Sequence, residues 1–167
     1  MKTLFAKSEV LTTTTILVAL LAGACGSKAP TGPGNTPATI ALSASPNPMA
    51  GALCTGCGTG STDRESKTTV TVKESAGVAG TITSIDMVLR ANAGSTIIAQ
   101  GSFDSAGVTS LAGTARVAAN GSLNVLCGVH YAASAAGQAA TLTYTVRFTD
   151  DHGNALTQVI AVPVSAT

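Results

Sequence analysis

Tryptophan is absent from this chain of 167 residues, and aromatic residues make up only 3% of it. Charged residues are also scarce, at 10% against about 25% in an average soluble protein. With a formal net charge of +1 and no basic run, the sequence excludes an electrostatic nucleic-acid interface. The apolar fraction is nevertheless 45%, so the core must be built from Val, Ile, Leu and Ala with a few larger residues. The length allows one domain of ordinary size.

Motifs that accompany catalysis are also missing. The chain has only two histidines and has neither a Gly-x-Ser-x-Gly motif nor a phosphate-binding loop. The segment Asp150–Asn154 offers oxygen ligands for Ca²⁺ but lacks EF-hand spacing, and it is interpreted as a solvated hairpin turn. The mixed charges of Asp63–Lys67 are interpreted as a solvated loop. We therefore predict a protein that is not an enzyme and that has no cofactor.

Residues 1–24 are typical of a secretory signal peptide. Lys2 and Lys7 form a positive N-terminal region, and a short apolar stretch follows from Val10 to Leu21. This stretch is shorter than the roughly 20 apolar residues that a membrane-spanning helix needs. Small residues then lead to Cys25. The pattern predicts export rather than a membrane span.

The sequence from Leu21 to Cys25, Leu-Ala-Gly-Ala-Cys, resembles the lipobox of bacterial lipoproteins. The resemblance implies that Cys25 becomes the first residue of the mature chain and carries lipid, which anchors the protein to a bilayer. The alternative is a plain signal peptide that is cut near Ala24. Gly26 stands where Asp would signal retention, and the sorting rule of enteric-type lipoproteins then implies the outer membrane. Residues 25–37 are rich in Pro, Gly, Ser and Thr and are predicted to form a flexible tether.

Residues 38–167 show the two-residue alternation of β-strands. In Thr141–Thr149 the apolar side chains all fall on one face of the strand. The dipeptide Asn120-Gly121 is a strong hairpin signal, which predicts that the strands on either side of it pair. Asp104–Gly107 is predicted to end the strand before it. Further strands are predicted at Thr39–Ser45, Thr68–Lys73, Thr81–Ala91, Ser95–Phe103, Thr114–Ala118, Ser122–Tyr131 and Leu156–Val164.

This succession of about seven or eight short strands indicates an all-β fold, an antiparallel β-sandwich. The segment Leu42–Pro48 resembles the first strand of bacterial immunoglobulin-like and PKD-type modules. The segment Tyr144–Asn154 resembles the penultimate strand and final turn of the same modules. The resemblance implies an immunoglobulin-like β-sandwich in an envelope setting. Such modules are mostly spacers, adhesion units or interaction units, and they share no catalytic residues.

Three cysteines remain once Cys25 is assigned to lipid, and they leave several interpretations open. We favour a long disulfide from Cys127 to either Cys54 or Cys57, because exported proteins usually oxidise their thiols. A short disulfide between Cys54 and Cys57 is the second interpretation. In the third, these three thiols and His130 form a zinc set, although alternation places Cys127 and His130 on opposite faces of one strand. A Cys-x-x-Cys redox pair is disfavoured because no helix follows it.

We therefore expect a lipid-anchored, non-catalytic cell-envelope protein with a structural or interaction role. Its domains are a signal peptide at 1–24, a lipidated tether at 25–37 and a sandwich at 38–167. Its expected partners are the membrane, through lipid on Cys25, and another envelope protein or a glycan, but not nucleic acid. The expected location is the outer membrane, with the domain on the periplasmic or surface face. The alternative is a metal-binding or thiol-redox domain that uses Cys54, Cys57, Cys127 and His130.

Overall fold

The computed structural model describes residues 35–54, 64–93, 95–132 and 139–165. The predicted signal peptide, the lipidation residue Cys25 and the cysteine Cys57 lie outside these residues. The chain divides into two units, Met1–Pro33 and Gly34–Thr167, and every described residue belongs to the second. No helix within the described ranges is long and apolar enough to cross a membrane.

The described residues form ten strands and one helix. Seven strands have six residues or more, which agrees with the predicted seven or eight. These long strands are β1 (Ile40–Ser45), β4 (Arg64–Glu74), β5 (Gly80–Ala91), β6 (Ile97–Asp104), β8 (Ser122–Tyr131), β9 (Ala140–Asp150) and β10 (Ala155–Ser165). The short elements are β2 (Met49–Ala50), β3 (Ala52–Leu53), β7 (Arg116–Val117) and the helix α1 (Ser105–Ala112).

The strands form two sheets. In the first sheet, β8 pairs along one edge of β4, and β1 and β3 share the other edge. In the second sheet the order is β2-β10-β9-β5-β6, and β7 pairs with the start of β5. All of these pairs are antiparallel except β2 with β10. The arrangement confirms the predicted all-β sandwich.

The core lies between the sheets and is made of the side chains that the alternation predicted. On β9 the inward residues Leu142, Tyr144, Val146 and Phe148 are all buried. On β5 the alternation changes phase, because a register shift follows Ile82, and the inward set continues from the next isoleucine. A β-bulge has this effect because the extra residue moves later side chains to the opposite face.

The predicted hairpin across Asn120-Gly121 is wrong. The preceding strand, Arg116–Val117, pairs with the start of β5 in the other sheet instead of with β8. The turn is held by β4, since the backbone N–H of Glu74 donates to the carbonyl oxygen of Gly121 at 2.9 Å. The carboxylate of Glu74 accepts a second bond, from the backbone N–H of Asn120 at 2.8 Å. Contacts with a distant strand therefore override the local turn signal.

The predicted break at Asp104–Gly107 is the first turn of helix α1. Asp104 caps the helix by accepting a hydrogen bond from the backbone N–H of Gly107 at 2.8 Å. Gly113 ends it in the left-handed region, with φ of 79°, and its N–H donates to the Thr109 carbonyl. Val108 is the buried residue of the helix. The helix contacts β5, β6 and β8, so it closes one end of the sandwich.

Candidate functional site

Three neighbouring strands of the first sheet bring Cys54, Glu65 and His130 together. Glu65 on β4 lies opposite His130 on β8 and opposite Ala52 on β3. Because side chains alternate along a strand, Cys54, two residues after Ala52, is expected on the same face as Ala52. The Cys54 sulfur, a Glu65 carboxylate oxygen and a His130 ring nitrogen all lie within 4.8 Å of one another. We call these three residues the outer-face cluster.

Glu65 is the charged centre of the outer-face cluster. Its Oε2 lies 3.5 Å from Nε2 of His130 and 2.8 Å from Nζ of Lys67. The hydrogen bond from Lys67 lowers the pKa of Glu65 below its usual value, and the charges of Lys67 and His130 act in the same direction against burial. The Lys67 side chain lies against Gly128, its partner on β8. A Cβ atom added at Gly128 would lie 3.0 Å from the Lys67 Cγ. The glycine thus leaves room for the lysine stem.

The two described cysteines are in different chemical states. Cys54 is disulfide-bonded, and its partner lies outside the described residues. Cys127 is a free, buried thiol, so the favoured long disulfide from Cys127 is wrong. The reason is its direction, because Cys127 points into the core between the sheets whereas Cys54 lies beside the outward-facing His130. Burial raises the pKa of the Cys127 thiol to about 11, which makes it a poor nucleophile.

The predicted four-residue zinc set is not brought together by the described residues. Cys127 is fully buried and the His130 side chain is 51% exposed, so they face opposite sides of β8 as alternation predicted. The pairing of β4 with β8 continues past Gly128 without a shift, so no bulge turns His130 inward. Cys57, the remaining member, lies outside the described residues.

Glu65 is the residue that the sequence reasoning missed. The segment Asp63–Lys67 was expected to be a solvated loop, but β4 begins at Arg64 and includes the rest of it. The signal was present, because Glu65 and Lys67 extend the alternation of the predicted strand Thr68–Lys73 by two more outward positions. A mixed-charge composition concealed this pattern.

A groove lies beside the outer-face cluster, between the edges of the two sheets. Among the described residues β8 pairs only with β4, and the outer edge of β6 is unpaired. The groove has a volume of about 310 Å³, and His130 lines it as well as belonging to the cluster. Gly101 helps to keep it open, because a Cβ there would lie 3.2 Å from the Met87 methyl group. Its other lining residues are Gln100, Ser102, Phe103, Gly128 and Val129.

Glu74 is a buried carboxylate with a structural role. Besides the bond from Asn120, it accepts backbone hydrogen bonds from Thr39 at 3.2 Å, Ala76 at 2.6 Å and Gly77 at 3.0 Å. Burial raises its pKa, and these four donors outweigh burial and lower the pKa to about 2. Glu74 therefore ties the start of β1 and two turns to β4.

Asp150 has the same role at the turn between β9 and β10. It accepts hydrogen bonds from the backbone N–H groups of His152 and Asn154 and from the Asn154 side chain. It also accepts one from the distant backbone N–H of Ala38, at 3.0 Å. Burial raises its pKa, but the donors lower it to about 2. The predicted turn is present, but Asp150 is buried instead of solvated, and its oxygens are occupied by protein donors.

The chain matches no family model, and no curated protein matches it. Among solved structures it is similar to Northeast Structural Genomics Consortium target SoR45, with a TM-score of 0.54 and 10% sequence identity. That match covers 75% of this chain and 86% of the other. A protein from Archaeoglobus fulgidus has a TM-score of 0.45 and 12% identity, over 75% of this chain and 94% of its own. At this identity the first match supports the two-sheet fold alone.

Proposed function

We propose that this protein is a non-catalytic lipoprotein of the cell envelope whose sandwich serves as a structural or interaction module. The observation that carries the proposal is the order of the sequence: an apolar leader, the lipobox-like Leu21–Cys25, a tether and then a β-sandwich. Lipid on Cys25 holds the chain at the outer membrane, and the tether lets the domain reach a partner.

The groove between the sheet edges supports the interaction role. The unpaired edges of β6 and β8 in the described part of the chain present rows of backbone donors and acceptors. Met87 and Phe103 supply apolar lining beside them. An extended segment of another envelope protein binds such a place by adding a strand, with pockets for alternate side chains. A glycan, the other expected partner, has no backbone that pairs with this row of peptide N–H and C=O groups.

The alternative role as a thiol-redox domain loses support from the same geometry. Cys127 is buried with a raised pKa, and it faces away from His130 and Cys54. A reactive thiol needs exposure and a nearby positive group. Cys127 has neither the exposure nor the low pKa, so a four-residue redox centre with Cys54, Cys57 and His130 is disfavoured.

Metabolic labelling tests the anchor. The full chain is expressed in a bacterium with an alkyne-bearing palmitate, and label and membrane fractionation are measured. We expect label and membrane association in the wild type and neither in Cys25→Ser. Cys127→Ser is the matched control and keeps both. A wild-type chain that is unlabelled and cut near Ala24 would show that the leader is a plain signal peptide.

Site-specific crosslinking in cells tests the interaction role. A photoreactive residue replaces Gln100 at the groove, and in a second variant it replaces Gln158, which is also exposed but lies on β10. We expect a discrete protein adduct from position 100 and none from position 158. Equal adducts from both positions, or none from either, count against the groove as the binding surface.

A further inference from the structure

We infer that Cys54, Glu65 and His130 form a zinc-binding site that is closed while Cys54 is in its disulfide and opens when that disulfide is reduced. The inference goes beyond the proposed function and does not depend on the anchor. The three residues offer sulfur, oxygen and nitrogen, the ligand atoms that Zn²⁺ accepts in proteins. They come from one face of one sheet and not from a single loop.

The spacing of the ligand atoms suits a single ion. Around a tetrahedral Zn²⁺ with bonds of about 2.0 to 2.3 Å, ligand atoms lie roughly 3.3 to 3.7 Å apart. The 3.5 Å between Glu65 Oε2 and His130 Nε2 already meets this requirement. The Cys54 sulfur lies within 4.8 Å of ligand atoms of both residues, so it has to move closer by no more than about 1 Å to complete the set. Paired strands hold Glu65 and His130 opposite each other, which fixes two of the three ligands.

Three protein ligands leave a fourth position for water or another ligand. His130 lines the groove as well as belonging to the cluster, so this position is expected to open toward the groove. Zinc sites with three protein ligands and an open position are accessible to exogenous groups. A bound ion would then add a Lewis-acidic point to the groove wall.

The disulfide controls the site because only a thiolate is a good ligand. A dithiol reductant supplies two electrons and two protons and itself becomes a disulfide. The S–S bond of Cys54 breaks, and Cys54 and its partner become thiols. When Zn²⁺ binds, the Cys54 thiol gives its proton to solvent and a Zn–S bond forms.

Lys67 competes with the ion for Glu65. Its Nζ lies 2.9 Å from Oε1 and 2.8 Å from Oε2, so it occupies both carboxylate oxygens. A bound ion must displace this ammonium group. Removing Lys67 is therefore expected to tighten metal binding, an effect that a purely structural role for the cluster does not predict.

The test titrates the purified full chain in detergent with Co²⁺, a spectroscopic substitute for Zn²⁺, without oxygen. After reduction with a phosphine we expect one Co²⁺ per chain, a sulfur-to-cobalt charge-transfer band and displacement by Zn²⁺. Glu65→Gln and His130→Ala weaken binding by about tenfold or more, and Cys54→Ser abolishes the band. Lys67→Met tightens binding by about threefold or more, the sign expected for removal of a competing ion pair.

Two controls separate the site from the other histidine and from the buried thiol. His152→Ala removes the other histidine and leaves binding unchanged, and Cys127→Ser removes the buried thiol and keeps the band. Equal Co²⁺ affinity before and after reduction would overturn the inference. So would a band that survives Cys54→Ser, or a His130→Ala variant that binds as the wild type does. Palmitate labelling of Cys25 is measured separately, so failure here leaves the anchor proposal standing.

Discussion

Glu74 and Asp150 are buried carboxylates that the fold satisfies with hydrogen bonds from its own backbone. Each accepts four hydrogen bonds, and seven of the eight donors are backbone N–H groups. An ionised carboxylate is costly to bury unless such donors replace water. Each carboxylate also fixes chain segments that are far apart in sequence. Glu74 binds the backbone of Thr39 and of Asn120, and Asp150 binds the backbone of Ala38.

The state of each thiol can be checked directly. We expect Cys127 to resist alkylation in the native protein and to react after unfolding, because its sulfur is buried in the core. Cys54 should react only after reduction. If Cys25 carries lipid, a non-reducing peptide map should link Cys54 to Cys57, the remaining cysteine. A peptide that joins Cys127 to either of them would contradict the structure.

Single side chains also show where sequence reasoning reaches its limit. Cys127 and His130 were correctly placed on opposite faces of β8, because that follows from alternation alone. The contact of Glu65 with His130 was not predicted, because it depends on the register between β4 and β8. Register is set by tertiary packing and turn geometry, which one strand's composition does not contain.

Among the strands, long alternating segments were predictable, whereas two of the three short ones were not. The inward faces of β9 and, from Ile85 onward, of β5 follow from apolar residues at every second position. The strands β2 and β3 have two residues each, too few for any periodicity, whereas β7 lies within the predicted strand Thr114–Ala118. Helix α1 buries only Val108, so its sequence carries no apolar stripe. Its caps, Asp104 and Gly113, were the usable signal.

The crowded surroundings of Gly80 at the start of β5 give a prediction about this glycine. A Cβ on Gly80 would collide with the Phe148 ring and lie 2.5 Å from the Thr149 carbonyl oxygen. We expect Gly80→Ala to lower the free energy of unfolding by about 3 kcal/mol, because neither the strand backbone nor the packed ring yields. The measurement is the urea unfolding midpoint.

Gly101→Ala is the matched control for this substitution. It also lies in a strand of the second sheet, but its added Cβ meets only the flexible end of Met87, at 3.2 Å. We expect a loss of about 1 kcal/mol or less. Similar midpoints for the two variants would show that the approach at Gly80 is not tight.

For the complete domain, the buried carboxylates predict how stability depends on pH. Glu74 and Asp150 have pKa values of about 2, below the ordinary 4.5 and 3.8. Their stabilisation is therefore fully present above about pH 5 and is lost as the pH falls toward 2, because the unfolded chain takes up protons first. We expect urea midpoints to decrease steadily over this interval.

Two glutamine variants test the source of this dependence. Glu74→Gln should lower the midpoint at pH 7 and flatten the decrease in acid, because its amide cannot satisfy four donors. Glu65→Gln, on the outer face of the same strand, should change both little, because exposed ion pairs contribute little. An equally steep acid decrease in Glu74→Gln would assign the effect to other groups.

The two ends of the folded domain are fastened to each other. Met49 of β2 pairs in parallel with Val164 of β10, and the Ala38 N–H is bound by Asp150. A ribosome makes the chain from its N-terminus, so the Ala38 contact cannot form before Asp150 has been made, and the β2 pairing cannot form before Val164. A chain that has not yet reached β10 thus has no closed sandwich. For a protein proposed to be exported, this keeps the polypeptide able to pass through a translocation channel until β10 has been made.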